Sequence, residues 1–210
     1  TKNKISRLVE ESCKRLKRKK LYAVMLHRPE VLLGENSSEI ISELRALKEA
    51  DIISKLGLSI YCPSILDQIL PLFDLDIVQA PFNVFDQRIL SSGWADRLKE
   101  NETELHTRSV FLQGLLLLKE RSLHPYFSKN WPHLFSAWFE YQRNSSSDAT
   151  TIALSFALQQ PWIDRVVVGV DSARHLSALV QIEKAYSQSL DPYLECNDVG
   201  LIDPSKWNLT

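Results

Sequence analysis

Apolar residues recur along the chain in two rhythms. Ile5, Leu8, Val9, Ser12 and Leu16 stand three and four apart and predict one face of an amphipathic helix. The next run, Leu21-Tyr22-Ala23-Val24-Met25-Leu26, is apolar throughout and too short for a helix of its own, so it reads as a buried strand closed by His27. A second helix follows, with Ser37 or Ser38 as its N-cap and Ile40, Ile41, Leu44 and Leu47 on the buried face. Further strands are predicted over 55–61, 77–83, 104–111 and 165–170. Pro63 fits the start of a helix that buries Ile65, Leu66, Ile69 and Leu70, and another helix is predicted around 89–100. Two helical segments near 131–143 and 148–160 come next, the second capped by Ser147 or Asp148, and a last helix is predicted over 172–187.

Strand and helix thus alternate five times with no hairpin signal between strands. Such alternation implies parallel strands joined by right-handed helical crossovers. An open doubly wound sheet and a (β/α)8 barrel both meet that rule. Polar side chains at strand ends favour the barrel: His27, Ser59, Gln79, Asn83 and Ser109 come from four different strands. Against it stands arithmetic, since a barrel needs eight strands and about 250 residues. The 210-residue chain offers five strands.

Composition narrows the function. At 210 residues, 44% hydrophobic and 24% charged, the sequence has the make-up of one ordinary globular domain spanning 1–210. A net charge of -1 gives no reason to expect nucleic acid or an anionic membrane as partner. The basic stretch Lys14-Arg15-Leu16-Lys17-Arg18-Lys19-Lys20 lacks interleaved aromatics and reads as cations at a helix C-terminus. No apolar run reaches the length of a membrane span, and the charged start does not resemble a signal peptide. Cys13, Cys62 and Cys196 lie far apart without metal spacing, which leads us to expect reduced thiols, no metal and a cytoplasmic protein, with Cys13 and Cys62 as packing residues. Neither a Rossmann glycine fingerprint nor a P-loop is present.

Five segments carry a resemblance. They are Leu26-His27, Lys55-Leu-Gly-Leu-Ser-Ile-Tyr61, Val78-Gln79-Ala80-Pro81-Phe82-Asn83, Arg108-Ser109-Val-Phe-Leu-Gln113-Gly114-Leu115 and Val167-Val168-Gly169-Val170-Asp171-Ser172. Each is weak alone. In this order and spacing they resemble the aldo/keto reductases over nearly the whole chain. The resemblance implies an α/β fold of the TIM (β/α)8-barrel family, here strands 4–8 with their helices, a partial barrel. The family's first three βα units would precede Thr1.

What the resemblance implies for function is NAD(P)H-dependent reduction of an aldehyde or ketone, a small-molecule carbonyl substrate, by the intact parent protein. His27 matches the catalytic His of the family's tetrad, while the Asp, Tyr and Lys belong to the upstream units. The 210 residues alone are therefore expected to be inactive. Ser59 and Gln79 would hold the nicotinamide carboxamide. Arg108, Ser109, Gln113 and Gly114 match the loop that meets the pyrophosphate, and Ser172 and His175 stand at the far end of the cofactor. Ile60 stands where the family often has Asn, and Arg108 where it often has a stacking Tyr. Asp171 would repel a 2′-phosphate, so NADPH is a family expectation with NADH as the alternative. The competing reading is a non-catalytic partial barrel that acts as an interaction module, whose open strand edges would drive homo-oligomer formation. Trp131, Trp138, Phe139 and Tyr141 stand at helical spacing, which favours core over a substrate pocket.

Overall fold

The computed structural model describes residues 4–182 and 194–209. Helix α1 (Lys4–Leu16) forms where the spacing places it, yet of its apolar face only Val9 is buried, and Leu8 and Leu16 stay exposed. It packs on α2 (Ser37–Glu49), and one helix can cover only part of such a stripe. Lys17 (φ 53) ends α1 in a left-handed turn that lets the Arg18 N–H reach the Cys13 carbonyl at 3.0 Å. The basic stretch is partly engaged, with Lys20 paired to Asp51 and Arg15 to Glu11.

Five strands form one sheet in the order β1 (Leu21–Leu26), β2 (Ile53–Ser59), β3 (Ile77–Pro81), β4 (Glu104–Arg108) and β5 (Arg165–Val166). β1 pairs parallel with β2, matching Ala23 to Lys55 and Leu26 to Leu58, and β2 pairs parallel with β3, matching Ser59 to Gln79. Side chains on paired residues share a face and those two apart repeat it, so Lys55, Gly57 and Ser59 line one face of β2. Gly57 is required there, because a Cβ would lie 2.5 Å from the Ile77 carbonyl oxygen.

Several predicted boundaries shift, each for a local reason. β3 stops at Pro81 because the Asn83 side chain closes a turn, accepting from the Phe85 and Asp86 N–H groups. β4 ends at Arg108 because Ser109 takes φ 61. β5 keeps only two residues; it is last in the sheet and so has a ladder on one side, to which Val167 N–H adds one bond to the Thr107 carbonyl. α2 starts at Ser37 with Asn36 at the cap position, so neither serine caps it. After α3 (Ile65–Ile69), the helix predicted around 89–100 divides into α4 (Arg88–Ser91) and α5 (Trp94–Glu100) at Gly93, φ 76. Next come α6 (Pro125–Asn130), which the periodicity did not predict, α7 (Pro132–Asn144) and α8 (Ala149–Leu158), capped by Asp148. α9 (Ala173–Val180) begins the predicted last helix, of which 183–187 lie outside the described residues, and α10 (Val199–Ile202) follows.

Packing divides the chain into two units, Thr1–Ala80 with Ser92–His106, and Pro81–Ser91 with Thr107–Thr210. The first has an aliphatic core of Leu32, Leu44, Ile53, Leu58, Leu66 and Ile77. The second has an aromatic one around Phe82, Phe85, Phe135 and Trp138. The Trp138 indole N–H donates to the Leu116 carbonyl at 3.2 Å and Tyr141 stacks on its ring, so these aromatics build core. Cys62 is exposed, its Sγ 3.1 Å from Ser64 Oγ, which corrects the expectation that it packs. Among the described residues no helix is long and apolar enough to cross a membrane, and no group of three or more metal-ligating side chains occurs.

Candidate active site

In the first unit, Ser59 is the last residue of β2 and Gln79 its register partner on β3. Pairing brings the two side chains together: Ser59 Oγ donates to Gln79 Oε1 at 3.2 Å, and the Ile60 N–H binds the Gln79 carbonyl at 2.8 Å. Ser59 is buried and Gln79 half-buried. Among the described residues Gln79 Nε2 has no partner, and Ser59 Oγ keeps lone pairs to accept with. A spare donor beside a spare acceptor matches a primary carboxamide, which needs one of each. His27 follows the last residue of neighbouring β1, exposed, with its ring edge-on to Tyr61 at 6.3 Å between centroids.

Toward the amino ends of β1, β2 and β4 lies a charged network that the sequence reading missed. Glu104 Oε1 accepts from Lys55 and from the Tyr22 hydroxyl, and Glu104 Oε2 lies 2.9 Å from His106 Nε2. Burial alone would push the Glu104 carboxyl up, but the bonds from Lys55, Tyr22 and His106 outweigh it and hold the group at about 2, below its ordinary 4.5. The bond to Glu104 pushes the Lys55 ammonium up in turn. A signal existed in Glu104, His106 and Arg108, polar at every second position of a strand.

In the second unit the loop after β4 turns sharply. Ser109 (φ 61), Leu112 (φ 44), Gln113 (φ 54) and Gly114 (φ 84) are all left-handed, three of them without glycine's freedom. Phe111 at φ -99, ψ 6 precedes Leu112, so the hand of the backbone alternates here, and the Leu112 and Gly114 N–H groups donate to the Ser109 carbonyl at 2.9 Å and the Phe111 carbonyl at 2.8 Å. Arg108 Nη1 donates to Ser109 Oγ at 3.2 Å, and Gln113 is exposed. Ser172 caps α9, its Oγ accepting from the His175 N–H at 3.1 Å. Asp171, Ser172 and Arg174 are exposed. Burial pushes the Cys196 thiol up, the opposite of what a reactive thiolate needs.

A parallel α/β sheet with polar side chains at the carboxyl ends of its strands is the arrangement of α/β enzymes that take ligands above those ends. The chain belongs to the aldo/keto reductase family, whose model matches residues 1–191. It is similar to the holo form of an aldo-keto reductase from Bacillus halodurans, at 20% identity and TM-score 0.72, over 90% of this chain and 64% of that one. A glycerol dehydrogenase from Gluconobacter oxydans is similar at 18% identity and TM-score 0.62, over 90% of this chain and 66% of that one. At such identity the likeness is one of fold. The chain spans about two thirds, 64–66%, of the length of these structures. No curated protein sequence matches it.

Proposed function

We propose that these residues form the His-bearing and cofactor-binding part of an NAD(P)H-dependent reductase that converts an aldehyde or ketone to an alcohol. The Ser59–Gln79 pair carries the reading, for it leaves one acceptor at the carboxyl end of β2 and one donor beside it on the parallel neighbour β3. When bound, the reduced nicotinamide supplies a hydride to the carbonyl carbon. Gln79 Nε2 donates to the carboxamide oxygen and Ser59 Oγ accepts from the carboxamide nitrogen, which fixes the ring face presented to the carbonyl. His27 donates a hydrogen bond to the carbonyl oxygen and stabilises the charge that develops there, and the family's Tyr, on the further βα units, would supply the proton that completes the alcohol.

Ser109 and Gln113 take the pyrophosphate through backbone N–H groups, Gly114, whose own N–H is bonded to the Phe111 carbonyl, permits close approach, and Arg108 stacks or pairs beside them. Ser172 and His175 serve the adenosine end. NADPH is the proposed cofactor and NADH the alternative, because exposed Asp171 opposes a 2′-phosphate. The family's Tyr, Lys and Asp have no counterpart at matching positions of the 210 residues, so turnover is assigned to a protein that also supplies three further βα units. Support comes from β1, which stands first in the sheet, leaving its other edge free of any described strand. Beside it Ile5, Leu26, Val31, Ile40 and Ala46 line a groove of about 670 Å³. The same free edge favours the second reading, an interaction module, and light scattering separates the two: concentration-dependent association without nucleotide binding supports the module.

Titration with NADPH and NADH tests the main reading. Binding of either supports it, and binding of neither rejects it. In the protein with all eight units, His27→Ala should lower kcat/KM for an aldehyde panel about a hundredfold or more, with NADPH affinity unchanged.

A further inference from the structure

Asn83 lies in the second unit, fully buried, two residues past the end of β3. Both polar atoms of its side chain are bonded. Oδ1 accepts from the Phe85 N–H at 2.9 Å and from the Asp86 N–H at 3.0 Å, closing its own turn. Nδ2 reaches across to donate to the Ser109 carbonyl at 3.1 Å. The Asn83 backbone is fixed as well, its N–H donating to the Asp86 carbonyl at 3.0 Å. Buried Asp86 is gripped side-on by Arg88, Nε to Oδ1 and Nη2 to Oδ2, both at 2.8 Å. The tether therefore starts from a rigid base.

What it holds is a backbone that the chain would not choose alone. Three non-glycine residues within Ser109–Gly114 are left-handed, each at a cost of about 1 kcal/mol or more, and such geometry persists only where the surroundings impose it. The Ser109 carbonyl that receives Asn83 also accepts the Leu112 N–H at 2.9 Å, so one oxygen anchors both the entry and the first turn of the loop. Just before it, the Arg108 carbonyl is held by the Phe82 N–H at 3.0 Å.

We infer that Asn83 is the positioning residue that sets the left-handed loop Ser109–Gly114 through its amide bond to the Ser109 carbonyl. The assignment of the pyrophosphate to that loop rests on the function proposed above; the tether itself does not. Two variants separate the donor from the turn. Asn83→Asp keeps the two accepting bonds and removes the donor, and Asn83→Ala removes both. Hydrogen exchange of the 109–114 amides should quicken about tenfold in each, the scale of one lost buried hydrogen bond, while thermal unfolding shows a folded protein. NADPH affinity should fall by a similar factor in both variants. In Asn83→Asp it should recover as the pH is lowered, when the protonated carboxyl can donate to the Ser109 carbonyl. Exchange over 109–114 as slow as in the parent, in either folded variant, overturns the inference. If the parent binds neither NADPH nor NADH, the proposed function fails and exchange alone decides the role of Asn83.

Discussion

The two ends of β2 carry polar side chains on one face, and they are finished differently. At the Lys55 end one carboxylate, Glu104, takes an ammonium, a phenol and an imidazole. At the Ser59 end the pair is joined by a single bond, and an amide donor is left over. A carboxylate that holds three donors stabilises the fold, whereas a leftover donor can still bond to water or to a ligand. Polarity at a strand position therefore does not distinguish the two roles; saturation does.

The contrast can be broken first at its closed end. Glu104→Gln should destabilise the protein by about 3 kcal/mol at neutral pH, since it strips the charge from a partly buried ion pair, and should leave NADPH affinity alone. Urea unfolding beside a nucleotide titration checks both halves. The same carboxyl gives a pH signature. Because it is held at about 2 when folded, its contribution is complete above its ordinary 4.5 and is lost as pH falls from 4.5 toward 2. Unfolding midpoints measured across that window should drop more in the parent than in Glu104→Gln. Gly57→Ala, between the two ends, should cost about 2 kcal/mol by pushing β3 away, and it should weaken NADPH binding too because Ser59 and Gln79 move with their strands.

At the open end, Gln79→Ala should lower NADPH affinity about tenfold with a melting temperature close to the parent's, the worth of one hydrogen bond to ligand. Ser59→Ala should do the same by a few-fold, since the hydroxyl is the weaker partner. A large stability loss in either variant, without loss of affinity, would mean that the Ser59 end is as structural as the Lys55 end.

Much of this was legible in the sequence. Periodicity located the five strands, and the quoted segments pointed to the family that residues 1–191 match. Boundaries were less legible, because what ends a strand is often a side chain acting at a distance or a backbone hand. Asn83 closes a turn where a strand pattern continues, and Ser109 turns left-handed inside a run that reads as extended. The Ser59–Gln79 pair could be named but its spare donor could not, since that depends on register. The Glu104 network joins residues 82 and 49 apart in the chain, beyond the reach of any local pattern.

Trp138 offers an optical consequence. Its indole is fully buried and its N–H is fastened to the carbonyl of Leu116, two residues past Gly114. With the other four tryptophans of the five replaced by phenylalanine, the emission of this one ring becomes a dye-free reporter. Filling or loosening the Ser109–Gly114 loop would alter its colour and brightness in real time.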